Sequence, residues 1–172
     1  MTGKEINAGA GRESSHAEAA KKLFYEGYNC AQAVVCAFSD VTGIDRERSA
    51  RMASSFGGGL GRMREVCGTV SGAALALGIV CGYSDPGDKE AKKKHYERIR
   101  FFAEQFREAE GSIICAELLR KGSTDPEQIA AGGDPEERTA EYYRKRPCPE
   151  LVYRAALILD EMLGECIIQH KD

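Results

Sequence analysis

The sequence predicts an all-α, single-domain helical bundle of about six to eight helices. Apolar residues recur at spacings of three and four over long stretches, and no run alternates apolar and polar residues with β-branched side chains as a strand would. The chain has 172 residues, 42% of them hydrophobic and 30% charged. That length suits one domain, which can bury about 70% of its unfolded surface.

Residues 1–14 are polar and glycine-bearing and read as a flexible N-terminal segment, ahead of a helical domain over 15–172. A helix is expected over about 15–26, stopping at Gly27. The next starts after Asn29, a favoured cap, with Ala33, Val34, Ala37 and Phe38 on its apolar face. Another begins at Asp45 and ends before Gly57, Gly58 and Gly59. Residues 66–82 form an uncharged helix rich in Gly, Ala and Ser. It is shorter than the roughly 20 mostly apolar residues that a membrane span needs, so a central buried helix is predicted instead.

Asp85 and Pro86 form a cap and first-turn pair for a long helix. Its stripe is Ala91, His95, Ile99, Phe102, Phe106 and Ala109, and Gly111 stops it. Ser112 caps a short helix with Ile113, Ile114, Cys115, Leu118 and Leu119. Residues 122–134 read as a surface loop with at most one helical turn, and Asp134 with Pro135 opens a polar helix ending near Lys145. The last helix runs from Pro149 and turns Leu151, Val152, Ala155, Leu159, Met162, Leu163 and Cys166 inward. No internal repeat or domain linker is visible.

Composition excludes several function classes. The net charge is -3 with acidic and basic residues interleaved, so there is no basic face for nucleic acid. Lys92, Lys93 and Lys94 read as a solvated helix side. The first residues lack the apolar core of a secretory signal, which predicts a cytoplasmic protein. His16, His95 and His170 are scattered, and the carboxylates lie mostly on polar helix faces. Conventional acid–base catalysis has the least support, and no catalytic residue is assigned.

Seven cysteines remain to be explained. The count is odd and no secretion signal accompanies it, unlike an extracellular disulfide framework. Four of them fall within the first turn of four different expected helices. Cys30 follows the Asn29 cap, Cys67 follows the glycine-rich loop, Cys115 lies three residues past Ser112, and Cys148 is itself the expected cap before Pro149. Helix starts expose unpaired N–H groups and carry about half a positive charge. A thiolate there is expected to be stabilised with a depressed pKa, and a bound cluster could accept the free N–H groups. Cys36 in mid-helix, Cys81 near a helix C-terminus and Cys166 on an apolar face read as packing residues. No C-x-x-C pair supports a zinc ribbon or a thioredoxin-type site. Gly68 and Gly72, just after Cys67, allow close approach of a ligand or of another helix.

Several stretches together resemble the C_GCAxxG_C_C family of redox-active proteins. They are Asn29, Cys30, Ala31, Gln32, Ala33 and Val34; then Phe56, Gly57, Gly58 and Gly59, continuing through Gly61, Arg62 and Met63 to Glu65, Val66, Cys67 and Gly68. Val70, Ser71, Gly72, Ala73 and Gly78 follow, then Gly111, Ser112, Cys115, Leu118 and Leu119, and last Cys148, Leu151 and Val152. Thr69 departs from the usual Ala of the central motif. The resemblance implies an all-α domain whose functional cysteines are Cys30, Cys67, Cys115 and Cys148. It also suggests an iron–sulfur cluster, [2Fe–2S] or [4Fe–4S], or a related metal centre. The leading expectation is a redox or electron-transfer protein that holds it with these four cysteines, or with three of them and another ligand, with Gly68 beside them. A metal-free thiol–disulfide protein and a structural zinc or interaction module are the alternatives. Electron-transfer proteins are the expected partners, and the class suggests a homodimer; neither nucleic acid nor a membrane span is expected.

Overall fold

The computed structural model describes residues 14–123 and 125–169. Among them the chain forms ten α-helices: α1 (Ser15–Tyr25), α2 (Cys30–Ala37), α3 (Ser39–Thr42), α4 (Arg46–Ala53), α5 (Gly68–Cys81), α6 (Lys89–Glu110), α7 (Cys115–Arg120), α8 (Pro126–Ile129), α9 (Ala140–Lys145) and α10 (Cys148–Gln169). Six are of seven residues or more, and the described residues contain no strand. The fold is the all-α single domain that the periodicity predicts. No helix among the described residues is long and apolar enough to cross a membrane.

Four helices close a ring: α1 packs on α10, α10 on α5, α5 on α2 and α2 on α1. Helices α2, α5 and α10 enter this bundle from the same end, because their first residues approach one another there, as described below. Helix α1 runs the other way. Its start meets the later part of α10 through His16 Nδ1 and Asp160, 2.7 Å apart. Its middle meets the beginning of α10 through Lys21 Nζ and Glu150, 2.5 Å apart.

The core is filled by Phe24, Phe38, Val34, Val35, Leu77, Val152, Ile158, Leu159 and Leu163, all essentially inaccessible. Each such side chain contributes about 1.5–3 kcal/mol of burial. Helix α5 is the central element expected for 66–82, and glycine is what lets it sit so close to α2. A Cβ on Gly72 would lie 2.8 Å from the Ala31 carbonyl oxygen. Long helix α6 flanks α5 and α10 and buries only Phe102 and Phe106. Ala109 of the expected stripe is exposed.

Several boundaries differ from expectation, each for a local reason. Most of the segment 1–14 lies outside the described residues. Its last residue, Ser14, is buried and caps α1, its Oγ accepting from Ala17 N at 3.1 Å. Asp85 does not start the long helix. Its carboxylate accepts from Gly87 N at 2.8 Å in a tight turn, and Asp88 caps α6 instead. Asp134 and Pro135 open no helix; α9 starts later, under Thr139. The loop at 122–134 contains a single turn, α8, capped by Asp125. Ser112 Oγ accepts from Ile114 N at 3.0 Å, which places the start of α7 at Cys115.

Candidate functional site

The local sequence explains how each of the four cysteines is held. Asn29 caps α2 by accepting from Ala31 N at 3.0 Å and Gln32 N at 2.9 Å, while Gln32 Oε1 accepts from Asn29 N at 3.0 Å. This reciprocal box fixes Cys30 as the first residue of α2. Cys67 is the N-cap of α5, and Cys115 and Cys148 are the first residues of α7 and α10.

Cys67 and Cys115 are aligned by a feature that periodicity could not show. Val66 and Ile114 form an isolated antiparallel bridge. Cys67 N donates to Ile113 O at 2.8 Å, and Cys115 N donates to Glu65 O at 2.7 Å. Side chains alternate in such a pairing, so Cys67 and Cys115, diagonal neighbours, share one side of it. The preceding loop wraps against them through a run of left-handed residues: Gly58, Gly59, Leu60, Gly61, Arg62 and Arg64. A Cβ on Gly59 would sit 2.7 Å from Cys115 Cβ, and one on Gly68 3.1 Å from Cys30 Cβ. Glycine at both positions lets the backbone lie directly on the cysteines.

The four cysteines fall in one neighbourhood around Cys30, whose thiol interacts most strongly with that of Cys148 and also with Cys67 and Cys115. Cys67, Cys115 and Cys148 are buried, and Cys30 alone keeps partial exposure. Thr69, the departure from the family pattern, places its hydroxyl 3.2 Å from Cys67 Sγ. Among the described residues no three His, Cys, Asp or Glu side chains are grouped to hold one metal ion.

The depressed thiol pKa expected at helix starts is not what this burial produces. Interaction with the Cys148 thiol, then desolvation, pushes Cys30 well above the ordinary thiol range. Desolvation, then neighbouring Cys30, pushes Cys67 up to about 12. Burial and Cys30 also raise Cys115, against the opposing pull of Arg64 and Arg146. Burial together with mutual repulsion outweighs the helix dipole. Cys30, Cys67 and Cys115 therefore keep their protons unless positive charge is added among them.

Basic residues that sequence reasoning passed over ring the site. Arg64, 6% exposed, lies close enough to Cys115 to favour its thiolate and donates to the carbonyls of Ala130 and Gln128, both at 3.1 Å. Arg146 donates to Glu136, which also accepts from Arg62 at 3.1 Å. Arg138 and Arg146 each lie over the Tyr142 ring, 4.7 Å from its centroid, and Tyr142 in turn senses Cys148 and Cys30. Arg62 and Arg64 stand in the glycine-rich loop, which was a visible signal. Arg138 and Arg146 had none, since 134–145 reads as an ordinary polar helix.

The remaining cysteines divide. Cys36 is buried and free, its thiol donating to Arg46 O at 3.6 Å, as packing predicts. Cys81 and Cys166 are not simple packing residues: they form a disulfide with Cα atoms 6.5 Å apart. The parallel course of α5 and α10 brings their far ends together. Spacings of 14 and 18 residues from Cys67 and Cys148 amount to about four and five helical turns. The second cysteine of each helix thus returns to the same face, a periodicity that could have revealed the pair. His16 and His95 lie away from the thiols, in contact with Asp160 and near the Cys81 backbone respectively. His170 is outside the described residues.

Fold and site define an all-helical domain that gathers four thiols from the starts of four helices beneath a group of arginines. A family model described as "Putative redox-active protein (C_GCAxxG_C_C)" matches residues 28–162, and the chain belongs to that family. Searches of curated proteins and of solved structures return no significant match.

Proposed function

We propose that this redox-family protein transfers electrons through an iron–sulfur cluster ligated by Cys30, Cys67, Cys115 and Cys148, with Gly68 giving the backbone room beside it. The observation that carries the reading is the gathering of these four cysteines in one neighbourhood around Cys30, at the open N–H ends of helices. Four cysteine donors suit [2Fe–2S] and [4Fe–4S] clusters alike. When bound, such a cluster supplies one-electron chemistry.

The donor set fits the group. Buried guanidinium N–H groups of Arg138 and Arg146 have no acceptor of their own, and an anionic cluster offers sulfur acceptors. A single zinc requires four sulfurs about 2.3 Å from one point. Cluster ligands bind different irons and stand farther apart than that. Electron-transfer proteins as partners, a homodimeric state and a cytoplasmic setting belong to the same reading. Persistence of the Cys81–Cys166 bond in rapidly quenched cells would count against that setting.

Anaerobic purification tests it directly. A brown protein with iron and acid-labile sulfide is expected, and Ser at any one of the four cysteines should lose most of that iron. A colourless, iron-free product that resists reconstitution would overturn the reading. The nearness of Cys148 to Cys30 favours one alternative, a dithiol that closes to a disulfide by giving two protons and two electrons to an oxidised partner disulfide. In a Cys81→Ser/Cys166→Ser background, alkylation and mass spectrometry would then find Cys30 and Cys148 protected together after oxidation.

A further inference from the structure

We propose that Arg138 and Arg146 set the reduction potential of the four-cysteine centre by donating buried N–H groups to its sulfur atoms. This rests on the cluster reading above and adds to it the residues that tune the centre.

The two arginines come from opposite ends of α9 and converge on one ring. Arg138 precedes the helix and Arg146 follows it, and both guanidiniums cover Tyr142. Arg138 also lies 4.8 Å from the Phe24 ring centroid. Their donors are only partly used. Arg146 Nη2 is taken by Glu136 and the Gln128 carbonyl, yet Arg146 Nε is buried with no partner. Arg138 Nη1 is likewise buried with no partner. The Arg146 side chain is 4% exposed, so water offers little relief.

A guanidinium cannot shed its proton, and a buried N–H without an acceptor is costly. Geometry places both groups beside the thiols. Arg146 stands two residues before Cys148 and shares Glu136 with Arg64, whose carbonyl oxygen accepts from Ala116 N at 3.1 Å next to Cys115. Arg138 covers the same Tyr142 ring as Arg146. The local charge is unbalanced in the same sense. Glu136 pairs with Arg62, Arg64 and Arg146, while Glu141 turns to Lys145. An anionic group among the thiols answers both the idle donors and the excess positive charge. Arg64 also stands beside Cys115, but its Nε and Nη2 already hold backbone carbonyls, so it anchors the loop as well.

Positive charge and donated hydrogen bonds favour the reduced, more negative state of a cluster. The test is the midpoint potential of the reconstituted full-length protein, compared with Arg138→Gln, Arg138→Lys, Arg146→Gln and Arg146→Lys. Each Gln variant should keep its iron and sulfide while its reduction equilibrium constant falls about tenfold, a drop of about 59 mV for one electron. The Lys variants, which keep charge and lose the planar donor, should recover part of that drop. Loaded Gln variants whose potentials do not move, or move upward, would overturn the assignment and leave the cluster reading standing. If the unmutated protein holds no iron, both fall together. If Arg146→Gln fails to load, the partly exposed Arg138 decides through its own pair of variants.

Discussion

His16 joins three elements with one ring. Its Nδ1 lies 2.7 Å from Asp160 of α10, its Nε2 3.1 Å from Asp40 of α3, and its face stacks on Phe38 at 4.4 Å. Burial alone would lower its pKa, but the hydrogen bonds with Asp40 and Asp160 outweigh it and raise the value above 6.5. The protonated ring is thus worth more in the folded state than in the unfolded one. That stabilisation is complete below the unfolded pKa and is lost as pH rises through the raised folded value. With solvent screening at exposed Asp40, about 1 kcal/mol is expected. His16→Gln should therefore unfold at lower urea than the parent at pH 5.5, with the gap closing by pH 9. An equal gap at both pH values would show that packing on Phe38, and not charge, accounts for the effect. Thr69 makes a second point at this scale. Its departure from the usual Ala leaves the cysteine in place and adds a hydroxyl beside Cys67.

Elements show where sequence reading succeeds and where it stops. Asn29, Asp45 and Gly111 mark helix ends correctly, because a cap acts through atoms two to four residues away. Where two caps are on offer, the local turn decides. Asp85 accepts from Gly87 N and leaves Asp88 to cap α6, and Thr139 accepts from Tyr142 N and caps α9 where Asp134 opens no helix. The positions of Cys30, Cys67, Cys115 and Cys148 were legible because they depend on helix starts, whereas the Cys81–Cys166 bond, which joins the far ends of two helices, was not. Nor were the arginines, since Arg64 and Arg146, 82 residues apart in sequence, are brought together through Gln128 and Glu136. The loop before Cys67 contains its own test. Leu60 takes a left-handed φ of 60° while 41% exposed. That conformation costs a non-glycine residue roughly 1–2 kcal/mol, partly offset by the greater unfolded-chain freedom of glycine. Leu60→Gly should raise stability by about 0.5–1 kcal/mol, read from the urea midpoint at unchanged slope. A loss of stability would mean that the Leu60 side chain contributes packing larger than the backbone strain.

At the scale of the whole molecule, α5 and α10 are two parallel rods with a thiol centre at one end and a covalent bond at the other. The bond closes 85 residues of sequence, for which the chain-entropy model gives about 4.6 kcal/mol and measured cases usually about 2–4. Inside that span lie the exposed residues 131–135, where a protease can reach the backbone. A single cut there yields two polypeptides, one ending before α9 and the other holding α10. They should migrate as one species on a denaturing gel run without reductant and as two once a thiol reagent is added. If they part without it, the sulfur atoms of Cys81 and Cys166 are not joined in solution. If they stay together, the rods are bound as the hoop of a cask binds its staves, and the far end of the bundle stays closed whatever happens at the other.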